Sequence, residues 1–243
     1  MDRDLARKVT AEAVGTALLV AIVVGSGIYA QRLSPNDIGL QLLENSVATG
    51  AGLVALILAF GSVSGAHFNP VVSIADRVLG GLTTRELVSY VPAQVLGACV
   101  GAVVANLMFE LDAITLSTHT RSSGGLWLGE VVATFGLLTV ILGVVRSGRA
   151  STAPFAVGGY IAAAYWFTSS TSFANPAVSV GRTLTDTFAG IKPSSAPAFI
   201  VAQLAGGALA VGLARFLYPD LPAVELVVPH DHADAACNQA ASG

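Results

Sequence analysis

Apolar residues fall along the chain in six long runs, at about 9–29, 45–63, 87–109, 126–145, 154–170 and 196–217, separated by short polar stretches. Each run is close to the roughly 20 residues that an apolar helix needs to cross a bilayer. The pattern predicts an all-α membrane protein with six transmembrane helices. Two shorter apolar segments interrupt it, one between the second and third runs and one between the fifth and sixth. They open at Asn69-Pro70 and Asn175-Pro176; Gly80-Gly81 closes the first, and Gly190 is expected to close the second. Asn is a good helix cap and Pro suits the first helical position, so both segments read as helix starts. About eleven or twelve residues at 1.5 Å each make roughly 16–18 Å. That is about half of the ~30 Å hydrocarbon core, so the segments are expected to be re-entrant half-helices.

The two halves of the chain repeat. Glu12 and Thr16 recur as Glu130 and Thr134, both 118 residues later. Ala93, Gln94 and Gly97 recur as Ala202, Gln203 and Gly206, each 109 later, and Asn69-Pro70 recurs as Asn175-Pro176, 106 later. Near-constant offsets in one order predict a duplication, with repeats at about 6–110 and 125–218. Each repeat holds three spans, an odd number, so the second must lie inverted relative to the first. The Asn-Pro ends of the half-helices then meet near the midplane. Irregular backbone at that depth is tolerated only where it is buried in protein or lines a water-filled cavity. The expectation is a pore.

Composition agrees. Of 243 residues, 53% are hydrophobic and 11% charged, against about 25% charged in a soluble domain. The net charge of −3 leaves no basic footprint for nucleic acid. Cys99 and Cys237 make no disulfide framework, and the first run is too long and lacks the cleavage site of a signal peptide. Arg3, Arg7, Lys8, Arg77, Arg85, Arg146, Arg149 and Arg215 fall on one side of the predicted membrane, and Arg32, Arg121, Arg182 and Lys192 on the other. The excess places both termini in the cytoplasm. The polar segment 219–243 reads as a loose tail; His230, His232 and Cys237 are weak candidates for a soft metal.

Ser64-Gly65-Ala66-His67-Phe68-Asn69-Pro70-Val71 and Phe173-Ala174-Asn175-Pro176-Ala177 resemble the two signature loops of the aquaporin family, the major intrinsic proteins. The Glu12/Glu130 and Gln94/Gln203 repeats match that family's pattern, and the resemblance runs from about 6 to 217. It implies a passive channel for small uncharged solutes, without cofactor, in the cell membrane as a homotetramer. Asn69, Pro70, Val71, Asn175, Pro176 and Ala177 would mark the pore midplane, with the two Asn amides donating to a solute oxygen. A glutamate inside a span is costly unless it accepts hydrogen bonds. Proton relay and loop support are both open for Glu12 and Glu130; the resemblance implies support, and His67 is expected to brace its loop rather than gate the pore.

Carried over by position, the selectivity filter falls at Thr49, Ala163, Ser172 and Val178. Water-selective members of the family have an aromatic residue, histidine, a small residue and arginine there. All four residues here are small or apolar, and the first motif reads Asn-Pro-Val instead of Asn-Pro-Ala. Arg182, four residues beyond Val178, lies on the same helix face one turn outward. It either restores a cation at the outer mouth or pairs with Asp186. A filter without arginine resembles a bacterial branch associated with arsenite, whose neutral form As(OH)3 is shaped like glycerol. The expectation is a metalloid-hydroxide channel with glycerol and water as co-permeants. The alternatives are a glycerol facilitator or a plain water channel and, in other classes, a coupled transporter or a non-conducting membrane protein. No nucleophile–base set or metal cluster suggests an enzyme.

Overall fold

The computed structural model describes residues 2–219 of the chain, so the candidate tail ligands His230, His232 and Cys237 lie outside the described residues. Eight α-helices appear among those residues: α1 (Arg3–Leu33), α2 (Ile38–Ser64), α3 (Pro70–Leu79), α4 (Thr84–Met108), α5 (Gly124–Arg146), α6 (Ala153–Phe167), α7 (Pro176–Gly181) and α8 (Ala196–Leu217). Both halves run long, long, short, long. Five helices, of 22 to 31 residues, are long and apolar enough to cross a membrane. The fifth predicted span is shorter than expected: α6 has 15 residues and is extended by a 3-10 turn at Ala150–Thr152.

The half-helices start as the sequence predicts. Asn69 Oδ1 accepts from Val71 N, and Asn175 Oδ1 accepts from Ala177 N and Val178 N, with proline at the first helical position in each. Gly80, at φ 91°, ends α3 in the left-handed region where glycine has no steric penalty. The second half-helix departs from expectation. It ends at Gly181, passes through a 3-10 turn at Arg182–Leu184, and is extended by Thr185; Gly190 does not close it. The cause is polar competition for the chain. Thr185 Oγ1 donates to Asn106 Oδ1, Asp186 accepts from Thr118 N, and Thr115 N and Ser117 N donate to the carbonyls of Leu184 and Thr183. These bonds pull 183–186 onto the 113–119 segment and out of a helix.

Close approach of helices rests on small residues. A Cβ added at Gly97 on α4 would overlap the Ala13 carbonyl of α1, and one at Gly206 on α8 would overlap the Val131 carbonyl of α5. These glycines occupy equivalent places in the two repeats, and both obstructing atoms are backbone, which cannot swing aside. Gly97→Leu is therefore expected to destabilise the fold by at least about 1–3 kcal/mol. Gly212→Leu, with nothing within 4 Å of its Cβ, serves as the control. Thermal melting in detergent should lower the midpoint for Gly97→Leu alone; equal midpoints would remove the packing argument.

Many large apolar side chains remain exposed on the outer faces, including Leu18, Val88, Leu96, Phe155, Trp166 and Phe216. On a protein in water this belt would be an aggregation surface; against lipid it is the expected exterior.

Candidate functional site

The core of the molecule is organised by two buried glutamates. Glu12, on α1, accepts four hydrogen bonds: from Ser64 Oγ (2.7 Å) and His67 N (2.9 Å) at Oε1, and from Phe68 N (2.7 Å) and Gln94 Nε2 (2.8 Å) at Oε2. Glu130, on α5, accepts from Phe173 N (2.9 Å), Ala174 N (2.8 Å) and Gln203 Nε2 (2.6 Å). The glutamines extend both networks: Gln94 Nε2 also donates to Ser73 Oγ, and Gln203 Nε2 to Ser179 Oγ, each at 2.9 Å. Ser73 and Ser179 both follow the motif Asn by four residues, so their shared spacing was a readable signal that sequence reasoning passed over.

The loops held by these glutamates are strained in the same way. Ala66 and Phe68 have φ of 50° and 49°; Ser172 and Ala174, at the same distances before their own Asn, have 51° and 48°. Such left-handed non-glycine residues cost about 1–3 kcal/mol each and persist only where surroundings enforce them. Here the carboxylates supply the enforcement by capturing the N–H groups of 67, 68, 173 and 174.

The two loops are also tied to each other. Asn69 Nδ2 donates to Ala174 O (2.8 Å), and Asn175 Nδ2 donates to Phe68 O (2.7 Å). The half-helix N-termini therefore meet at the centre, with Asn69 and Asn175 both lining an internal cavity of about 60 Å3. At roughly 10–15 Å3 per water, that is room for about four to six. Pro70, Val71, Pro176 and Ala177 are buried just behind, and His67 lines the same cavity, its Nδ1 3.1 Å from Ser73 Oγ and its Nε2 3.5 Å from Asp76.

The four filter candidates divide. Thr49, Ser172 and Val178 line the cavity, whereas Ala163 does not and is exposed on the other side of α6. Besides Val157, the residues of α6 that reach the cavity are Ile161 and Tyr165. They lie two positions either side of Ala163, and two positions along a helix turn a side chain by about 200°. Tyr165 OH sits 3.2 Å from Thr49 Oγ1. Ser172 Oγ has no hydrogen-bond partner among the described residues. The expectation that this wall is wholly small or apolar is therefore corrected by Tyr165.

Arg182 faces the cavity and makes no ion pair with Asp186 among the described residues. It is buried at 2% exposure and lines the cavity beyond Val178. Its Nε donates to Ala189 O, and its guanidinium lies 3.4 Å from the centroid of the Phe173 ring. Arg121 lies over the same ring at 5.2 Å and donates to Gly190 O. Asp186 faces elsewhere, accepting from Thr118 N and Oγ1 with His119 Nε2 at 3.7 Å. The Thr118 N–H holds the Asp186 carboxyl below its ordinary range. Phe173 and Arg121 had not been singled out as site residues, since nothing in their spacing marks a residue as an arginine platform.

Comparison with known proteins accords with this architecture. Residues 2–186 match the family model described as Major intrinsic protein. The chain is 49% identical over 227 residues to "Aquaglyceroporin AqpS" of Rhizobium meliloti (strain 1021), covering 93% of this chain and 97% of that one. It is 30% identical over 245 residues to "Probable aquaporin AqpM" of Archaeoglobus fulgidus, covering 89% and 99%. The fold resembles the X-ray structure of the aquaglyceroporin from Plasmodium falciparum, with a TM-score of 0.69 at 22% identity over 88% of this chain and 98% of that one. The six-span expectation, the half-helices and these matches converge: the chain belongs to the major intrinsic protein family of membrane channels and is not an enzyme.

Proposed function

We propose that this channel passes small uncharged solutes, with metalloid hydroxides such as arsenite as preferred cargo and glycerol and water as co-permeants. The observation that carries the reading is the wall between Thr49 and Arg182. Val178 leaves space where an arginine would narrow the passage, while Thr49, Tyr165, Ser172 and Arg182 place hydroxyl and guanidinium groups around it. A neutral triol matches that ring: it presents three hydroxyls, each able to donate and accept, with no charge to desolvate. At the centre, each Asn amide has two N–H donors and gives one to the opposite loop. The second is available to a passing oxygen. The positive ends of the facing half-helices disfavour cations and protons, as described generally for aquaporin-type pores.

Uptake into proteoliposomes tests the reading directly. Arsenite, glycerol and water should all enter faster than into empty vesicles, down their gradients and without saturation at low concentration. Water alone would make this a plain water channel, and glycerol without arsenite a glycerol facilitator. Saturable uptake driven by a proton gradient would make it a coupled transporter, and no flux a structural protein. We further place both termini in the cytoplasm of a plasma-membrane homotetramer. The cation asymmetry supports the orientation, and the exposed apolar faces of α2 and α6 support the assembly.

Arg182 is assigned the role of cation barrier at the mouth. Two unit charges 4 Å apart repel by about 4 kcal/mol at an effective dielectric of 20, so even a third of that is a tenfold rate effect. Arg182→Gln is therefore expected to raise methylammonium uptake by about tenfold or more, with glycerol uptake changed less than about threefold. Equal increases for both solutes would mean that Arg182 acts through size.

A further inference from the structure

We infer that a groove along the seam of α3 and α8 holds a phospholipid whose headgroup is net anionic, of the glycerol class. The groove has two parts that share Val78. The inner part, about 210 Å3, is lined by apolar residues alone, among them Ile74, Leu204 and Ala208. The outer part, about 420 Å3, adds Arg146, Arg215 and Tyr218. On α8 the lining residues recur at three- and four-residue spacing from Leu204 to Tyr218, which is a single helix face. The two parts therefore make one slot. It is open along its length: Leu204 and Val78 are 40% and 48% exposed, and Arg215 is exposed at its end.

The helices set the depth and side of the slot. α3 starts at the central Asn69 and has 10 residues, a rise of about 15 Å. That is half of the ~30 Å hydrocarbon core, so the slot crosses one leaflet and its arginines stand at headgroup depth. Under the orientation proposed above, that leaflet is the cytoplasmic one. Packing between neighbours orders the helices in a ring as α1, α2, α6, α5, α8, α3 and α4. The seam of α3 and α8 thus lies across the ring from α2 and α6, whose outer faces are assigned to subunit assembly, and it is left to lipid.

The apolar half accepts the acyl chain of any lipid; the outer half gives the choice. Arg215 Nη2 donates to Val78 O at 3.0 Å. That contact uses one of five N–H donors and fixes the guanidinium at the edge of the slot. Arg146 faces the same space from the end of α5, and no acidic residue lines it among the described residues. Other cations on this side have carboxylates nearby: Lys8 pairs with Asp4 and Glu86, and Arg85 lies 3.9 Å from Asp2. Arg215 has no carboxylate within 4 Å among the described residues. Guanidinium groups match phosphate oxygens in pairs of parallel hydrogen bonds, and basic pockets between spanning helices suit anionic heads. A phosphoglycerol head brings the phosphate and two neutral hydroxyls. Ethanolamine and choline heads bring the same phosphate with a cation, which meets a second arginine and no acid. The inference rests on the membrane location of the chain and not on which solute the pore prefers.

The test is lipid retention by the purified full-length protein, read by native mass spectrometry with glycerol, ethanolamine and choline phospholipids of identical acyl chains. Glycerol adducts should exceed the other two by at least about fivefold. Arg215→Gln should bring them down to the ethanolamine level, and so should Ala208→Phe, which fills the inner half from an exposed position. Arg85→Gln should leave the preference intact. Melting temperature and water permeability in liposomes check that Arg215→Gln and Arg85→Gln remain folded channels. Equal retention of the three lipids by the wild type overturns the proposal, as does a folded Arg215→Gln variant that keeps the preference. Equal loss in Arg85→Gln would mean diffuse attraction to the whole basic face and also overturns it. A preference that emerges only when Asp220 and Glu225 are replaced by Asn and Gln would assign the arginines to the chain's own tail instead of a lipid.

Discussion

Glu12→Ala is expected to cost more stability than any other single side-chain truncation in the channel. Four donors converge on this carboxylate, two of them backbone N–H groups of the strained loop. Each buried donor left without a partner costs about 1–3 kcal/mol, so the truncation costs about 4–12 kcal/mol before any relaxation. A water entering the space recovers part of that. The strain at Ala66 and Phe68 then loses its main restraint, and the loop is free to leave the geometry that aims Asn69 at the cavity. Glu130→Ala orphans three donors instead of four, so its loss should be smaller. Glu12→Gln should fall between wild type and alanine: it keeps one acceptor but turns an NH2 toward Phe68 N and Gln94 Nε2, both donors. Thermal melting and monodispersity in detergent measure the series. The expected order of decreasing stability is wild type, Glu12→Gln, Glu130→Ala, Glu12→Ala, with Glu12→Ala recovered poorly folded. A Glu12→Ala protein melting within a few degrees of wild type would sink the support role.

The support role also explains which parts of the site could be read from the sequence. Apolar runs, Asn-Pro caps and the Glu and Gln repeats are all written in residue type and spacing, so six helical segments and the meeting of two half-helices were legible. The left-handed residues were not. Ala66, Phe68, Ser172 and Ala174 have no intrinsic preference for positive φ; that conformation is imposed by carboxylates more than 40 residues away in sequence. The early end of α7 was hidden for a similar reason. Thr185 and Asp186 are compatible with a helix until their partners Asn106 and Thr118 are known.

The filter shows the limit of reading by position. Thr49, Ser172 and Val178 were placed on the cavity from fixed offsets to the motifs, and two of those three are within three residues of an anchored Asn. Ala163 is twelve residues from Asn175, with a loop between, and a slip of two positions put the expectation on the wrong face of α6. Tyr165 in place of Ala163 adds a third hydroxyl to a wall where sequence reasoning had placed those of Thr49 and Ser172. Arg182 was legible as a candidate because four residues separate it from Val178. Its direction depended on Phe173 and the 188–190 carbonyls, which no spacing rule supplies.

Val178→Arg is expected to have the largest effect on permeation. Val178 is 5% exposed and faces the cavity one turn inward of Arg182. An arginine there adds a second guanidinium to a passage that already holds one, with the unpartnered Ser172 Oγ as a nearby acceptor. The added side chain fills space that glycerol and As(OH)3 require, while water still passes by hydrogen bonding to the guanidinium edge. Glycerol and arsenite uptake should fall by at least about tenfold, equivalent to about 1.4 kcal/mol on the barrier, with water permeability reduced less than about threefold. Repulsion between the two guanidinia should also lower the melting temperature. The double variant Val178→Arg/Arg182→Gln separates the two effects, since neighbouring sites of this kind are not additive. Relief of repulsion should restore stability while glycerol and arsenite stay excluded. If the double variant instead regains solute uptake, the block comes from paired positive charge at the mouth. If Val178→Arg alone passes glycerol and arsenite at the wild-type rate, Val178 does not lie at the narrowest point, and the proposed solute range must be set elsewhere along the pore.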